Sequence, residues 1–134
     1  MRLADKVAVV VGAGQTPGET MGNGRAAAIL FAREGAKVLL VDRDLESALE
    51  TEAMIRKEGG ESSSLKADIV KEHDCQTIAQ TAIERYGRID VLQNNVGIGG
   101  GDAGPTKLDP DVWDKIMEVN VKGAFMTCKY VLPI

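Results

Sequence analysis

Cysteine, histidine and aromatic side chains are scarce in this chain, and each scarcity narrows what it does. The two cysteines, Cys75 and Cys128, lie far apart and match no metal-binding or redox spacing. They are read as two reduced thiols, the ordinary state in a cytosolic protein. The single histidine, His73, sits between charged residues near a helix start and is read as a surface residue, so a metal site has no support. Basic charge is not in excess either. The formal net charge of -4 and pI near 5.0 argue against a nucleic-acid or anionic-membrane partner, since both want a basic face. Long apolar runs are missing too. The first, Val7 to Val11, leads straight into glycines, which leaves no room for a secretory signal, and no stretch approaches a bilayer span. The expectation is a cytoplasmic protein with no membrane contact.

What the chain does have is glycine, 15 residues of it, and a regular alternation of patterns. Its 134 residues suffice for one core and one domain, 1–134. Short apolar runs at Val7–Val11, Lys37–Val41, Ser62–Ala67 and Ile89–Gln93 read as strands, the third more polar and placed at a sheet edge. Between and after them, Arg25–Glu34, Leu45–Lys57, Asp74–Tyr86 and a last stretch from about Asp111 towards Tyr130 carry apolar residues at helical spacing. Alternation of this kind predicts a doubly wound α/β fold with a parallel sheet in the order 3-2-1-4. Ligands of such sheets bind beyond the carboxyl ends of the strands, where the order reverses. Gly12, Asp42, Asp68 and Asn94 each follow a strand, so the candidate residues converge on that edge.

The glycines Gly12, Gly14, Gly18, Gly22 and Gly24 fall between the first strand and the first helix. A pyrophosphate needs backbone N–H donors brought close without intervening Cβ atoms, and a helix N-terminus adds partial positive charge. Gly12, Gly22, Asn23 and Gly24 are therefore the phosphate-binding candidates. The competing reading is a glycine-rich loop without a ligand. Asp42, at the end of the second strand, is placed to accept hydrogen bonds from adenosine ribose hydroxyls and to repel a 2′-phosphate, which favours NAD over NADP. Arg43 beside it argues the other way, because a guanidinium holds a 2′-phosphate well. A solvated Asp-Arg-Asp turn is the plain alternative.

Together, the glycine loop, Asp42, Ala67-Asp68-Ile69, Asn94-Asn95-Val96-Gly97, and Asn120 with Gly123 resemble the N-terminal part of a short-chain dehydrogenase/reductase. The resemblance runs from Lys6 to about Pro133. It implies an NAD(P)-dependent oxidoreductase acting on a small alcohol or carbonyl substrate, as a homo-oligomer. Asp68 would bind the adenine amino group, with the Ile69 backbone on the ring; a turn-capping aspartate is the alternative. Asn94, Val96 and Gly97 would lie along the cofactor, Val96 standing where the family usually has alanine. Asn120, an amide among apolar helix residues, would hold a water in a proton relay. The family's relay also needs a serine and a YxxxK pair. Neither is present: the fourth residue after Tyr130 is Ile134, and Lys129 and Ser47 offer no substitute. The expectation is therefore the cofactor-binding half of an enzyme, inactive alone; a non-catalytic dinucleotide-binding module or a pure interaction domain are the alternatives.

Two further points follow from spacing. The family pattern has three residues between its first two glycines, whereas nine separate Gly12 from Gly22. Starting from Gly18 instead restores the family spacing through Gly22 and Gly24. Trp113 and Met117, four apart, are expected to pack the last helix against the sheet or a partner.

Overall fold

Strands and helices alternate along the chain in the computed structural model, which describes residues 1–134: β1 (Val7–Val11), α1 (Asn23–Arg33), β2 (Lys37–Asp42), α2 (Leu45–Lys57), β3 (Ser62–Lys66), α3 (Glu72–Tyr86), β4 (Val91–Asn94), α4 (Pro110–Met117), a π-helical turn (Glu118–Lys122) and α5 (Gly123–Val131). The sheet is parallel throughout and ordered β3-β2-β1-β4, as the alternation predicts. In register, Val9 lies beside Leu39 on one side and Leu92 on the other. Strand order reverses at β1, between its neighbours β2 and β4.

Strand pleating divides the core in two, because successive side chains point to opposite faces. Ala8, Val10, Val38 and Leu40 pack with Ala28, Ile29 and Ile55 beneath α1 and α2. Val9, Val11, Leu39 and Val41 pack with Ile78, Ala82 and Met126 beneath α3 and α5. Both faces of β1 are thus covered, which is why its sequence is uniformly apolar. Each such valine contributes about 1.5–3 kcal/mol relative to exposure.

Helix ends follow local chemistry. Asp44 caps α2 by accepting from the Ser47 N–H, and Asp109 caps α4 ahead of Pro110. Gly87 ends α3 in the left-handed conformation. No helix is long and apolar enough to cross a membrane.

Several boundaries differ from the sequence reading. α1 begins at Asn23, and α3 at Glu72. β4 begins at Val91; just before it Asp90 donates its N–H to the Val7 carbonyl at 2.9 Å, while its carboxylate accepts the Val7 N–H and pairs with Arg88. The last helix is not one regular rod; the π-helical turn interrupts it. Trp113 and Met117 are exposed, so α4 does not use them against the sheet. His73 is exposed, as expected.

Candidate functional site

The backbone leaves β1 at Gly12 and turns sharply there, at φ 88°, a conformation that disfavours any side chain. Helix α1 then crosses so close that a Cβ at Gly24 would collide with the Gly12 carbonyl oxygen. This packing identifies Gly12 as the glycine that opens the loop and Gly22 and Gly24 as those that close it. Gly18 is exposed with nothing near it, so the register that starts from Gly18 is not the one adopted. No acidic residue occupies the first turn of α1, and its N-cap, Gly22, has no side chain to turn back onto the helix. The first-turn N–H groups, which have no carbonyl one turn earlier, face the cleft with their partial positive charge uncompensated.

That cleft is a cavity of about 570 Å³ along the carboxyl ends of the strands, within the usual range for small-molecule sites of about 300–1,000 Å³. Gly12, Gly22, Asn23 and Gly24 line its α1 side. Asp42, Asp68 and Ile69 line the end near β2 and β3, and Val96 and Gly97 the wall beyond β4. The Asp42 carboxylate is held in place at both oxygens: Oδ2 accepts the Gly14 N–H at 3.0 Å, and Oδ1 accepts the Asp44 N–H at 2.9 Å. Each oxygen keeps a further lone pair. Asp68 Oδ1 accepts the Val70 N–H at 3.2 Å, so it does shape a turn, and it also lines the cavity. Carboxylate acceptors therefore sit at one end of the cleft, with Arg43 beside them, and the N–H donors of α1 at the other.

Asn94 does not belong to this group. It shares the Leu92 face of β4, where its Oδ1 accepts the Thr127 hydroxyl at 2.8 Å and its Nδ2 donates to Cys128 Sγ at 3.6 Å. Its side chain therefore ties β4 to α5. Asn95, one pleat further on, lines the cavity instead. Strand alternation counted from Leu92 carries this distinction.

Asn120 lies in the π-helical turn, and its amide grips one residue from both sides. Oδ1 accepts the Ile98 N–H, and Nδ2 donates to the Ile98 carbonyl, each at 2.8 Å. One lone pair and one hydrogen of the amide remain. Its observed work is to fix the loop after Gly97, while its neighbour Val119 reaches the cavity wall.

Three contributors escaped the sequence reading. Ser47 lines the cavity; its hydroxyl accepts the Gln15 N–H at 2.7 Å and donates to the Gln15 carbonyl at 2.9 Å. Thr51 donates to the Ala13 carbonyl at 2.8 Å. Arg25 is buried beneath them, donating from Nε to Thr51 Oγ1 and from Nη2 to the Ser47 carbonyl and to Glu50. Helix α2 and Arg25 thus hold Ala13 and Gln15, the residues on either side of Gly14 in the glycine loop. The only sequence signal was an arginine inside an apolar helix face.

The chain matches the family model described as short chain dehydrogenase over residues 6–134. A short-chain dehydrogenase/reductase structure from Burkholderia xenovorans is 43% identical, superposes with a TM-score of 0.93, and aligns over 99% of this chain and 52% of its own. A metagenomic short-chain oxidoreductase in complex with NADP is 32% identical, with a TM-score of 0.88, over 99% of this chain and 57% of its own. A 7 alpha-hydroxysteroid dehydrogenase complexed with NADH and 7-oxo glycochenodeoxycholic acid is 32% identical, with a TM-score of 0.86, over 98% and 49%. The chain spans about half the length of the curated relatives it matches, which are oxidoreductases by name. With the glycine crossing of β1 and α1 and the parallel sheet beneath it, this match over nearly every residue makes the chain a member of the short chain dehydrogenase family.

Proposed function

We propose that residues 1–134 form the dinucleotide-binding part of an NAD-dependent oxidoreductase that moves hydride between a nicotinamide and a small alcohol or carbonyl compound. The observation that carries this reading is the polarity of the cleft: N–H donors at the α1 entrance for a pyrophosphate, and the doubly held Asp42 carboxylate for ribose hydroxyls. When bound, the nicotinamide supplies the hydride chemistry. Gly12, Gly22, Asn23 and Gly24 would take the phosphates, Asp42 the adenosine ribose, and Asp68 and Ile69 the adenine. Val96 and Gly97 would border the nicotinamide side, with Ile98 fixed there by Asn120. The proton relay assigned to Asn120 would use the lone pair and hydrogen that Ile98 leaves free.

Neither tyrosine has a lysine four residues on: Tyr86 is followed by Asp90 and Tyr130 by Ile134. The proton-transfer groups of the proposed reaction therefore lie outside residues 1–134. The same observation favours a second reading, a dinucleotide-binding module without catalysis. Tests of turnover on the protein that carries this chain separate the two.

For the cofactor, Asp42 stands where a 2′-phosphate would meet a carboxylate already fixed by two N–H groups. NADH should bind at least about tenfold more tightly than NADPH, since hydrogen bonds to a charged acceptor contribute about 1.5–3 kcal/mol. Asp42→Ala should weaken NADH by a similar factor and narrow the difference. Fluorescence titration with both cofactors checks this; equal affinities that the substitution leaves untouched would overturn it.

A further inference from the structure

The six residues Thr16–Met21 are more than this loop needs to reach from β1 to α1. Gln15 and Gly22, at either end of them, are already neighbours: an ideal Cβ on Gly22 would lie 3.0 Å from Gln15 Cβ and 3.9 Å from Gln15 Cα. Consecutive Cα atoms are 3.80 Å apart across a trans peptide, so ends this close need only a small adjustment to be joined directly. Without the excursion the loop would read Gly12-Ala13-Gly14-Gln15-Gly22-Asn23-Gly24, a complete glycine turn.

The excursion is nonetheless held. Gln15 Oε1 accepts the Gly22 N–H at 2.7 Å, and Gln15 Nε2 donates to the Thr20 carbonyl at 3.1 Å. The Gln15 backbone is itself anchored to Ser47 through both its N–H and its carbonyl. One side chain therefore clips a loop with adjacent ends, and the clip rests on α2. The clipped residues do not all point away: Thr16, Pro17 and Thr20, with Gln15, line the same cavity as Val96 and Gly97. They bring amide and hydroxyl groups and, along that stretch, no carboxylate except exposed Glu19, which is not among the lining residues.

We infer that Thr16–Met21 is a lip over the phosphate-bearing middle of the dinucleotide, and that Gln15 is the positioning residue that holds it there. The inference rests on the dinucleotide reading above and adds to it a binding element that the glycine turn itself does not require. The lip slows escape of the bound nucleotide, while adenosine recognition at Asp42 is independent of it.

The test uses the protein that carries this chain, with adenosine, ADP-ribose and NADH as probes. Deleting residues 16–21 joins Gln15 to Gly22 where they already meet. ADP-ribose and NADH should then bind about tenfold more weakly, the scale of one or two lost hydrogen bonds, with faster NADH dissociation in stopped flow and unchanged adenosine affinity. Gln15→Ala keeps every residue and carries the same expectation should the deletion fail to fold. Gln15→Glu still accepts from Gly22 but cannot donate to Thr20, and it sets a negative charge beside the phosphates. It should melt like the parent yet bind ADP-ribose worse than Gln15→Ala does, with the deficit shrinking at high salt. Parental ADP-ribose affinity and dissociation rate in the deletion and in Gln15→Ala would overturn the lip alone. Failure of the parent to bind ADP-ribose at all would overturn the dinucleotide reading and the lip with it.

Discussion

Arg25 is the residue on which the glycine loop most depends without touching it. Its guanidinium is almost completely buried and serves Thr51, Ser47 and Glu50, and the first two in turn hold Ala13 and Gln15. Arg25→Leu removes the buried donors to Thr51 Oγ1 and to the Ser47 carbonyl, which should cost about 2–3 kcal/mol and appear as a lower urea midpoint at unchanged slope. Arg25→Lys should recover only part, because a point charge cannot span three acceptors as a planar fork does. Cys75 gives a second prediction. Burial, reinforced by the nearby carboxylates of Asp74, Asp68 and Glu72, pushes its thiol up to about 11 from 9.0. The unfolded chain therefore releases this proton first. The contribution of Cys75 to stability is complete below pH 9.0, declines as pH rises towards 11, and is lost above it. Cys75→Ala should flatten the alkaline limb of a stability–pH profile; an unchanged limb would contradict the assignment.

At the scale of elements, the crossing of α1 over the end of β1 sets the site. Gly24→Ala forces a methyl against the Gly12 carbonyl, so the helix must lift from the strand. The expected loss is at least about 1–3 kcal/mol, read by chemical denaturation, with NADH affinity falling alongside. This crossing was legible in the sequence because a buried β-branched strand, glycines and an amphipathic helix follow one another in the only order that produces it. Sheet order was legible for the same reason, since right-handed crossovers leave few alternatives. Other features were not. The π-helical turn around Asn120 keeps helical dihedrals and apolar spacing, and one extra residue per turn leaves no mark on a pattern of this length. The Gln15 clip joins groups seven residues apart in a segment with no periodicity, so nothing repeats to reveal it. The direction of Asn94 was recoverable from the pleat, but the motif was read as a unit rather than residue by residue.

Both edge strands of the molecule, β3 and β4, are half-buried, and β4 also borders a bare apolar flank. β1 and β2 lie at the middle of the sheet, whereas β4 pairs only with β1 and is half-buried. Beside it, Trp113, Met117, Val121 and Phe125 form an exposed apolar stripe at four-residue spacing along α4, the π-helical turn and α5. An open strand edge next to an apolar stripe favours association. The 134-residue polypeptide should therefore sediment as more than a monomer at micromolar concentration, and Trp113→Glu should shift it towards monomer; a parent that stays monomeric throughout would refute this. The helix that carries the stripe also carries Asn120, whose amide fixes Ile98 at the wall of the cleft. A partner that covered the stripe would restrain the helix and, through Asn120, the Ile98 wall that the proposed nucleotide would meet. Association and nucleotide binding would then share a free-energy term, and linkage would make the sharing reciprocal: whatever factor assembly added to cofactor affinity, the cofactor would return to assembly.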